Sequence, residues 1–420
     1  MMRRSVVTGI GVIAPGGGSR EEFWQRIVGG KPAIRRISRF DPEPFRSQIA
    51  AECDFDPFAY GLTPQEVRRM DRFALLALAC ADEAFADSEL DRSSLDHERM
   101  GVSLGSAVGS TIRLEDEYVV ASNGGKDWVV DPTHVGPFLH HALVPSSAAT
   151  ELAVRYGAQG PAAVISTGCT SGIDAIGHAH TLIQDDEADI VIAGASDAPI
   201  SPITVACFDA IRATSPRNAD PEEASRPFDA DRQGFVLGEG AAVLIVEELE
   251  HAVARSARIY CEITGFAARA NSFHMTGLRP DGFELSEAIM DAMDRARLNP
   301  EDLDYISAHG SGTKQNDRHE TAAYKRALGE AARHIPISSI KSVIGHSLGA
   351  IGSIEMAACA LAIQRGLVPP TANLTTADPE CDLDYTPGVA REVTVDHALS
   401  AGSGFGGFQS AMVFSRLEGK

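Results

Sequence analysis

The sequence predicts a layered α/β protein built from two similar halves, and three observations carry that prediction. Short runs of β-branched and small apolar residues alternate with longer segments of helical periodicity. The alternation breaks near 250–257 and then restarts. Two distant segments, AAVISTGCTSGIDAIGHA and SSIKSVIGHSLGAIGSIE, share the order strand, glycine turn, small polar residues and helix. We therefore expect an N-terminal half at 1–252 and a C-terminal half at 253–420.

The N-terminal half begins with clear local signals. Residues 4–10, RSVVTGI, predict a strand. Residues 63–86 predict one amphipathic helix, with Thr63 as its N-cap, Pro64 in the first turn and Glu66 closing a capping box. Further compact apolar runs have the length of strands that are buried on both faces: MGVSLGSA, AAVIST, DIVIAGAS and AAVLIVEEL.

The C-terminal half repeats the alternation with the strand-like segments IYCEITGFAARA, LDYISAHG, HIPISSIKSVIG and AMVFSRL. When the two similar segments are aligned, Gly168 matches Gly345 and Cys169 matches His346. The alignment suggests a duplicated unit whose equivalent turns present a cysteine in one half and a histidine in the other.

Composition excludes several classes of function. A formal net charge of −21 argues against nucleic acid or an anionic membrane as the main partner. No window approaches the roughly 18 consecutive apolar residues of a membrane span, and the first residues lack the apolar run of a signal peptide. The seven scattered cysteines contain no C-x-x-C pair, which suits a reducing compartment. We expect a soluble cytoplasmic protein.

Two cofactor motifs can be drawn but are not favoured. Residues 9–14, GIGVIA, fit a dinucleotide-binding pattern, yet Pro15 and three glycines follow where the phosphate-binding helix would begin. We expect a turn there, before a helix that starts near residue 20. A zinc site of Cys169, His309 and His346 would lack the short paired spacings of zinc ligands. We therefore predict no metal.

A serine nucleophile is a further alternative, because Gly345-His-Ser-Leu-Gly349 fits the G-x-S-x-G elbow of hydrolases and acyltransferases. Ser347 would need an acid and a histidine downstream, and only His397 follows it. The competing interpretation is a small polar residue at a helix start that satisfies a free backbone N–H. We favour that structural interpretation.

Cys169 is the stronger nucleophile candidate. It follows a buried-type strand and a glycine, and it precedes a helix with small residues in its first turn. A helix N-terminus favours the thiolate, and small neighbours leave room for a substrate. The alternative, a buried core cysteine, describes Cys80 and Cys359 better, since both lie in apolar helical runs.

Three further features complete a constellation. His309 ends the strand-like DYISA, and His346 ends the strand-like IKSVI, where α/β sheets usually bind ligands. The glycine-dense GSGFGGFQ, residues 402–409, surrounds Phe405 and can offer backbone N–H groups and a movable apolar gate. A thiol, two imidazoles and backbone donors suit acyl transfer through a thioester. They also suit carbon–carbon bond formation by decarboxylation, because two imidazoles can stabilise an enolate.

These motifs resemble those of the β-ketoacyl synthases, and the resemblance runs over about residues 3–416. It implies the thiolase fold, a duplicated α/β/α/β/α architecture. The segments STGCTSG, AHGSGTKQNDRHETAAYKRALG and SGFGGFQSAMV are most similar to the ketosynthase alpha subunit of type II, aromatic polyketide synthases. Fatty-acid enzymes of the family typically carry HGTST and an Asn-Ser-Phe before GFGG. This chain has HGSGT and Ala-Gly-Ser there.

The resemblance implies roles for the active-site residues. Cys169 would accept the growing acyl chain, and His309 and His346 would assist decarboxylation of malonyl on a carrier protein and stabilise the enolate. The backbone N–H groups of Cys169 and Phe405 would form the oxyanion hole, and Phe405 would gate the pocket. Two charged residues would support the site: Lys341 and Glu320.

The resemblance also implies how the carrier protein binds. Ser311 and Thr313 match the hydroxyls that contact phosphopantetheine. The expected carrier-docking residues are Arg68, Arg69 and Arg212.

The implied partners are an acyl carrier protein and a chain length factor, with which the chain would form a heterodimer. The chain length factor lacks the active-site cysteine, so Cys169 assigns this chain to the catalytic side. Phosphopantetheine would arrive on the carrier protein, with no tightly bound cofactor. Two alternatives remain: a 3-oxoacyl-acyl carrier protein synthase II of fatty-acid elongation, and a non-catalytic scaffold or chain-length subunit.

Overall fold

The strands of the chain fall into two sets, which the computed structural model describes over residues 2–127 and 129–417. The first set contains β1 (Ser5–Ile13), β2 (Arg35–Arg36), β3 (Ile49–Ala51), β4 (Met100–Gly105), β5 (Ala162–Ile165), β6 (Ile190–Asp197), β7 (Leu237–Gly238) and β8 (Gly240–Glu248). The second contains β9 (Cys261–Ala270), β10 (Tyr305–Ser307), β11 (Ile337–Ser338), β12 (Leu367–Val368), β13 (Arg391–Glu392), β14 (His397–Gly404) and β15 (Phe408–Ser415).

Helices connect these strands in both halves. Before β9 they are α1 (Arg20–Val28), α2 (Pro64–Arg69), α3 (Arg72–Ser88), α4 (Thr111–Ala121), α5 (Leu139–Leu143), α6 (Ser147–Tyr156), α7 (Ser171–Gln184), α8 (Pro202–Ala210) and α9 (Leu249–Ala254). After β9 they are α10 (Phe283–Ala296), α11 (Lys314–Leu328), α12 (Lys341–Ile344) and α13 (Ala350–Arg365).

The two halves have the same strand order. In the described residues one sheet of ten strands runs β11-β10-β14-β15-β9-β1-β8-β6-β4-β5. Each half contributes five strands to this sheet, and outward from the centre they follow in the chain order first, fifth, fourth, second and third. The two inner pairings of each half are antiparallel and the two outer pairings are parallel. Identical topology supports the duplication that the sequence suggested. The division at 252/253 falls within α9 and remains a prediction.

The core separates into layers because successive strand residues point to opposite faces. In β8, Leu244 packs into a central cluster around α7 and α13, whereas Val243 packs on the other face against α3. In β15, Met412 joins the same central cluster, whereas Val413 packs against α10 and α11. The helices α7 and α13 are therefore covered by both half-sheets, and the architecture is the α/β/α/β/α order of the thiolase fold.

The structure confirms several local predictions. α1 begins at Arg20, so GIGVIA lies in β1 and the following turn rather than at a phosphate-binding helix. The Thr63 hydroxyl accepts from the Glu66 N–H at 3.3 Å, and the Glu66 carboxylate accepts from the Thr63 N–H at 2.7 Å.

The prediction of a single helix over 63–86 is wrong. Met70 adopts extended backbone, with φ −105° and ψ 152°, and separates α2 from α3. Asp71 then caps α3 by accepting from the Phe73 N–H at 3.2 Å. A local N-cap therefore overrides a continuous helical pattern.

Candidate active site

The turn that carries Cys169 joins β5 to α7. Gly168 begins a short 3₁₀ turn with φ +61°, and a Cβ at this position would lie 2.8 Å from the Phe405 carbonyl oxygen. The Ser171 hydroxyl accepts from the Thr167 N–H at 3.0 Å and donates to the Gly168 carbonyl at 2.6 Å. Glycine is required here by both conformation and space, and the turn leaves Cys169 partly exposed.

The matching turn at Gly345 lies against the Cys169 turn. Gly345 also has a left-handed φ, +68°. The Gly172 N–H donates to the Gly349 carbonyl at 3.0 Å, and a Cβ at Gly172 would meet the Ser353 nitrogen at 2.4 Å. Small residues at both helix starts therefore let α7 and α13 approach closely.

His309 and His346 reach one another from different elements. His309 follows β10, as the sequence predicted. The strand predicted at IKSVI is wrong, because Lys341–Ile344 forms the short helix α12. The backbone of His346 instead pairs with the segment around Leu237, accepting from Gly238 at 2.9 Å and donating to Val236 at 2.8 Å. The two imidazole rings lie edge to face, with their centroids 5.3 Å apart.

Both imidazoles are neutral hydrogen-bond donors at ordinary pH. Burial and the positive charge of Lys341 hold the pKa of each ring well below its usual value. His346 Nδ1 accepts from the Leu348 N–H at 3.2 Å, and Leu348 has the left-handed φ, +51°, that aims this group. In the neutral ring this contact leaves the proton of His346 on Nε2.

Lys341 is buried beneath the histidines. Its ammonium group donates to the His309 carbonyl oxygen and forms an ion pair with Glu355. Burial raises the pKa of Glu355 to about 8, against the lowering effect of Lys341. The sequence prediction named Lys341 but missed Glu355. The signal was a single carboxylate inside the apolar run AIGSIEMAACALAI of α13.

Glu320 fixes the loop that begins at His309. Its carboxylate accepts from the N–H groups of His309 at 2.6 Å and Gly310 at 2.7 Å, and from the Tyr324 hydroxyl at 2.7 Å. Burial raises the pKa of Glu320 to about 7. The predicted supporting positions, Lys341 and Glu320, therefore hold opposite sides of the His309 backbone.

A cavity of about 570 Å³ brings the predicted site residues together. Ser311 and Thr313 line it and form a hydroxyl pair, with their oxygens 3.1 Å apart. The Phe405 side chain is 37% exposed and also lines the cavity. The cavity-lining members of the predicted site are Cys169, His309, His346, Phe405, Ser311, Thr313 and Arg212.

The predicted docking arginines occupy different environments. Arg212 lines the cavity and has φ +54°. Arg68 is exposed on α2. Arg69 forms a bidentate ion pair with Glu151, with N···O distances of 2.8 and 2.5 Å. Because its guanidinium is engaged within the chain, Arg69 is the least available of the three, and all three assignments remain predictions.

Ser347 does not have the surroundings of a nucleophile. Its side chain is 1% exposed, and its hydroxyl has no hydrogen-bond partner among the described residues. A serine nucleophile needs a general base within hydrogen-bond distance, and Ser347 has none among the described residues. The predicted capping role is also wrong, because α13 begins after Gly349 without a side-chain cap.

Burial of the Cys169 thiol acts against the thiolate that a helix N-terminus favours. Burial raises the pKa of this thiol to about 11, although the Phe405 N–H and the charge of Lys341 both lower it. Desolvation of the anion outweighs these favourable contacts at this site. At neutral pH the Cys169 thiol is therefore protonated.

This protonation state predicts a steep pH dependence of alkylation. The thiolate fraction below the pKa rises tenfold per pH unit, so the rate of Cys169 alkylation by iodoacetamide should rise about tenfold per unit from about pH 7 to about pH 10. Peptide mass spectrometry resolves Cys169 from the exposed Cys207. A rate that is already level near neutral pH would contradict the raised pKa.

Two classes of site were sought across the described chain. Over residues 2–127 and 129–417, no group of three or more His, Cys, Asp or Glu side chains is arranged to hold a metal ion. In the same part of the chain, none of the helices combines the length and apolar character needed to cross a bilayer.

Comparison with known proteins adds family information to this geometry. The family model described as "Beta-ketoacyl synthase, N-terminal domain" matches residues 2–252, and the C-terminal domain of the same family matches residues 260–375. The tetracenomycin polyketide synthase ketoacyl synthase alpha subunit of Streptomyces glaucescens is 59% identical, over 99% of this chain and 97% of the relative.

Two solved structures share the fold over almost the whole chain. One contains a type II PKS acyl-carrier protein in complex with its ketosynthase bound to the hexaketide (TM-score 0.93, 38% identity, 100% of both chains). The other is the ishigamide ketosynthase/chain length factor (TM-score 0.92, 32% identity, 99% of this chain and 100% of that one).

Proposed function

Because the chain belongs to the β-ketoacyl synthase family, we propose that it is the condensing subunit of an aromatic polyketide synthase. It would join malonyl-acyl carrier protein units to a Cys169-bound acyl chain and so build a poly-β-ketone. The observation that carries the proposal is the placement of Cys169, His309 and His346 around one cavity. A single nucleophile with two neutral imidazole donors meets the chemical needs of a decarboxylative Claisen condensation.

The first step transfers the acyl group to the enzyme. The sulfur of Cys169 attacks the carbonyl carbon of a carrier-bound thioester, and the carbon–sulfur bond to the pantetheine breaks. Cys169 loses its thiol proton in this step and the departing pantetheine thiolate gains one, so the number of protons is unchanged. The N–H groups of Cys169 and Phe405 would stabilise the oxyanion of the tetrahedral intermediate.

The second step forms the carbon–carbon bond. The malonyl group loses carbon dioxide, and its electron pair forms an enolate whose oxygen His309 and His346 stabilise by donation. The enolate carbon attacks the carbonyl carbon of the Cys169 thioester, the carbon–sulfur bond breaks, and the departing Cys169 thiolate takes a proton from water. The product stays on the carrier protein and is two carbons longer. Neutral imidazoles suit this step. They donate hydrogen bonds to the enolate oxygen, and they carry no positive charge that would stabilise the malonyl carboxylate against its loss as carbon dioxide.

The phosphopantetheine arm is treated as part of the substrate. Ser311 and Thr313 would contact it, because both line the cavity and their paired hydroxyls can each donate and accept. No further cofactor enters the proposed reaction.

The partner proposed for this chain is a chain length factor, as in the solved ketosynthase/chain length factor complex. Among the described residues β5 pairs only with β4, so its other edge offers unpaired backbone groups. Apolar side chains are also exposed across the segment 118–144: Tyr118, Val119, Val120, Val129, Val130, Leu143 and Val144. An open strand edge and an exposed apolar segment suit a permanent subunit interface.

The acyl carrier protein is the second proposed partner. Arg212 and Arg68 are its proposed contacts, because exposed guanidinium groups attract an acidic carrier protein and Arg212 also borders the cavity. We place the assembly in the cytoplasm, since the cysteines described here are all free.

The competing function is fatty-acid elongation. A 3-oxoacyl-[acyl-carrier-protein] synthase 2 of Synechocystis is 41% identical over 99% of both chains, which is less than the 59% identity to the polyketide relative. The difference favours polyketide synthesis, and reconstitution decides between the two.

We expect polyketide formation to require all three components. Purified chain, chain length factor and malonyl-loaded carrier protein should yield poly-β-ketone products by mass spectrometry, and omission of the chain length factor should remove them. A homodimer that extends reduced acyl chains without a partner would instead establish the fatty-acid function.

A further inference from the structure

A partly buried carboxylate lies next to the nucleophile turn. Asp174 is in the first turn of α7. One of its oxygens accepts from the hydroxyls of Thr167 at 2.5 Å and Thr170 at 2.9 Å, and the other accepts from the hydroxyl of Ser410 at 2.5 Å. Within residues 2–127 and 129–417, the hydrogen bonds to this carboxylate come from these three hydroxyls.

The three hydroxyls belong to the two segments that form the proposed oxyanion hole. Thr167 and Thr170 bracket Cys169 on both sides. Ser410 lies in β15, directly after the loop of Phe405, and is 236 residues away from Asp174 in the chain. At Gly404, the residue before Phe405, a Cβ would lie only 3.1 Å from the Cys169 nitrogen, so the two segments are in contact.

We propose that Asp174 is a positioning residue for acyl transfer, which sets the separation of the Cys169 and Phe405 N–H groups by tying both segments to one carboxylate. The proposal rests on the proposed function, because the oxyanion hole matters only if Cys169 receives acyl groups. Oxyanion donors act only at the right distance from the oxyanion. A small shift of one segment against the other should therefore weaken the stabilisation of the transition state without removing a reacting group.

Two reactions of the same sulfur separate this role from a general loss of structure. Acylation by the acetyl thioester of N-acetylcysteamine passes through a tetrahedral oxyanion. Alkylation by iodoacetamide does not form an oxyanion, although it uses the same Cys169 thiol. A variant that disturbs only the oxyanion donors should therefore slow acylation and leave alkylation almost unaltered.

Asp174→Ala removes all three hydrogen bonds, and we expect its acylation rate to fall at least about tenfold while its alkylation rate stays within about threefold. Asp174→Asn keeps the shape of the side chain. The three hydroxyls can turn to accept as well as donate, so this variant should recover much of the acylation rate. Ser410→Ala breaks only the link to β15 and should show a smaller drop of about two- to fivefold. It carries the test if Asp174→Ala fails to fold.

Thr8→Val serves as the matched control, because it removes a buried hydroxyl–carboxylate bond of 2.7 Å to Glu247. Neither rate should change in that variant. If Asp174→Ala were acylated as fast as the wild type, or if its acylation and alkylation rates fell together, the positioning role would be overturned while the proposed function stands. A wild-type enzyme that is alkylated but never acylated at Cys169 would overturn the proposed function, and the role of Asp174 with it.

Discussion

Replacing Cys169 with alanine is expected to lower polyketide formation by at least about 10³-fold, because the variant has no atom that can carry the growing chain. The cavity and both histidines should persist, since Cys169 is only partly buried and its turn is held by backbone and Ser171 contacts. The measurement is product formation with the chain length factor and malonyl-loaded carrier protein. Intact-mass spectrometry should also show that no acyl-enzyme forms.

Cys207→Ala is the matched control. Cys207 is a free and exposed cysteine on α8, so its loss should leave activity within about twofold of wild type. Undiminished product from Cys169→Ala would refute the assignment of the nucleophile. If Ser347→Ala also lost activity, Ser347 would have to be reconsidered as the nucleophile, although its hydroxyl is buried.

Much of the fold could be predicted because the local patterns agree with the tertiary structure. The run AAVLIVEEL, for example, predicts a strand buried on both faces, and β8, Gly240–Glu248, is buried along its whole length. The same prediction is wrong for AAVIST, whose strand β5 is partly exposed at the edge of the sheet. The repeated glycine turns at Gly168 and Gly345 also predicted correctly that the halves share an architecture, since both glycines adopt left-handed backbone.

The failures lie where tertiary contacts outweigh local preference. IKSVI is rich in β-branched residues, yet it forms α12, and this conformation places Lys341 under the His309 carbonyl. The break at Met70 gave a weak signal, because Asp71 looked like one polar residue inside a helical run. Sequence spacing also gives no measure of burial. It suggested a thiolate at Cys169, whereas desolvation raises the pKa of that thiol.

The Asp174 and Glu355 contacts could not be predicted from spacing alone. Asp174 bonds to a residue 236 positions away, and Glu355 meets Lys341 across two helices. In each case the sequence signal is limited to the one acidic residue of its helix, α7 or α13. The identity of the partner depends on how the two halves pack.

At pH 9, above the pKa of about 8 of Glu355, replacing Lys341 with methionine is expected to cost about 3–5 kcal/mol of unfolding free energy, because it leaves the Glu355 carboxylate in the core without its cation. Lys341 and Glu355 are each 1% exposed, and the His309 carbonyl would lose a donor as well. Activity should also fall sharply, since the His309 backbone would lose the hydrogen bond from the Lys341 ammonium group that positions it. The shift in the urea unfolding midpoint at fixed protein concentration measures the stability loss.

Two further variants make the stability prediction specific. Lys325→Met removes an ion pair whose side chains, Lys325 and Asp382, are 37% and 40% exposed, and it should cost at most about 1 kcal/mol. The double variant Lys341→Met with Glu355→Met removes both buried charges and should regain much of the lost stability without regaining activity. A Lys341→Met protein as stable as Lys325→Met at that pH would show that Glu355 is held as the neutral acid, so that Lys341 stabilises the His309 loop through hydrogen bonding alone.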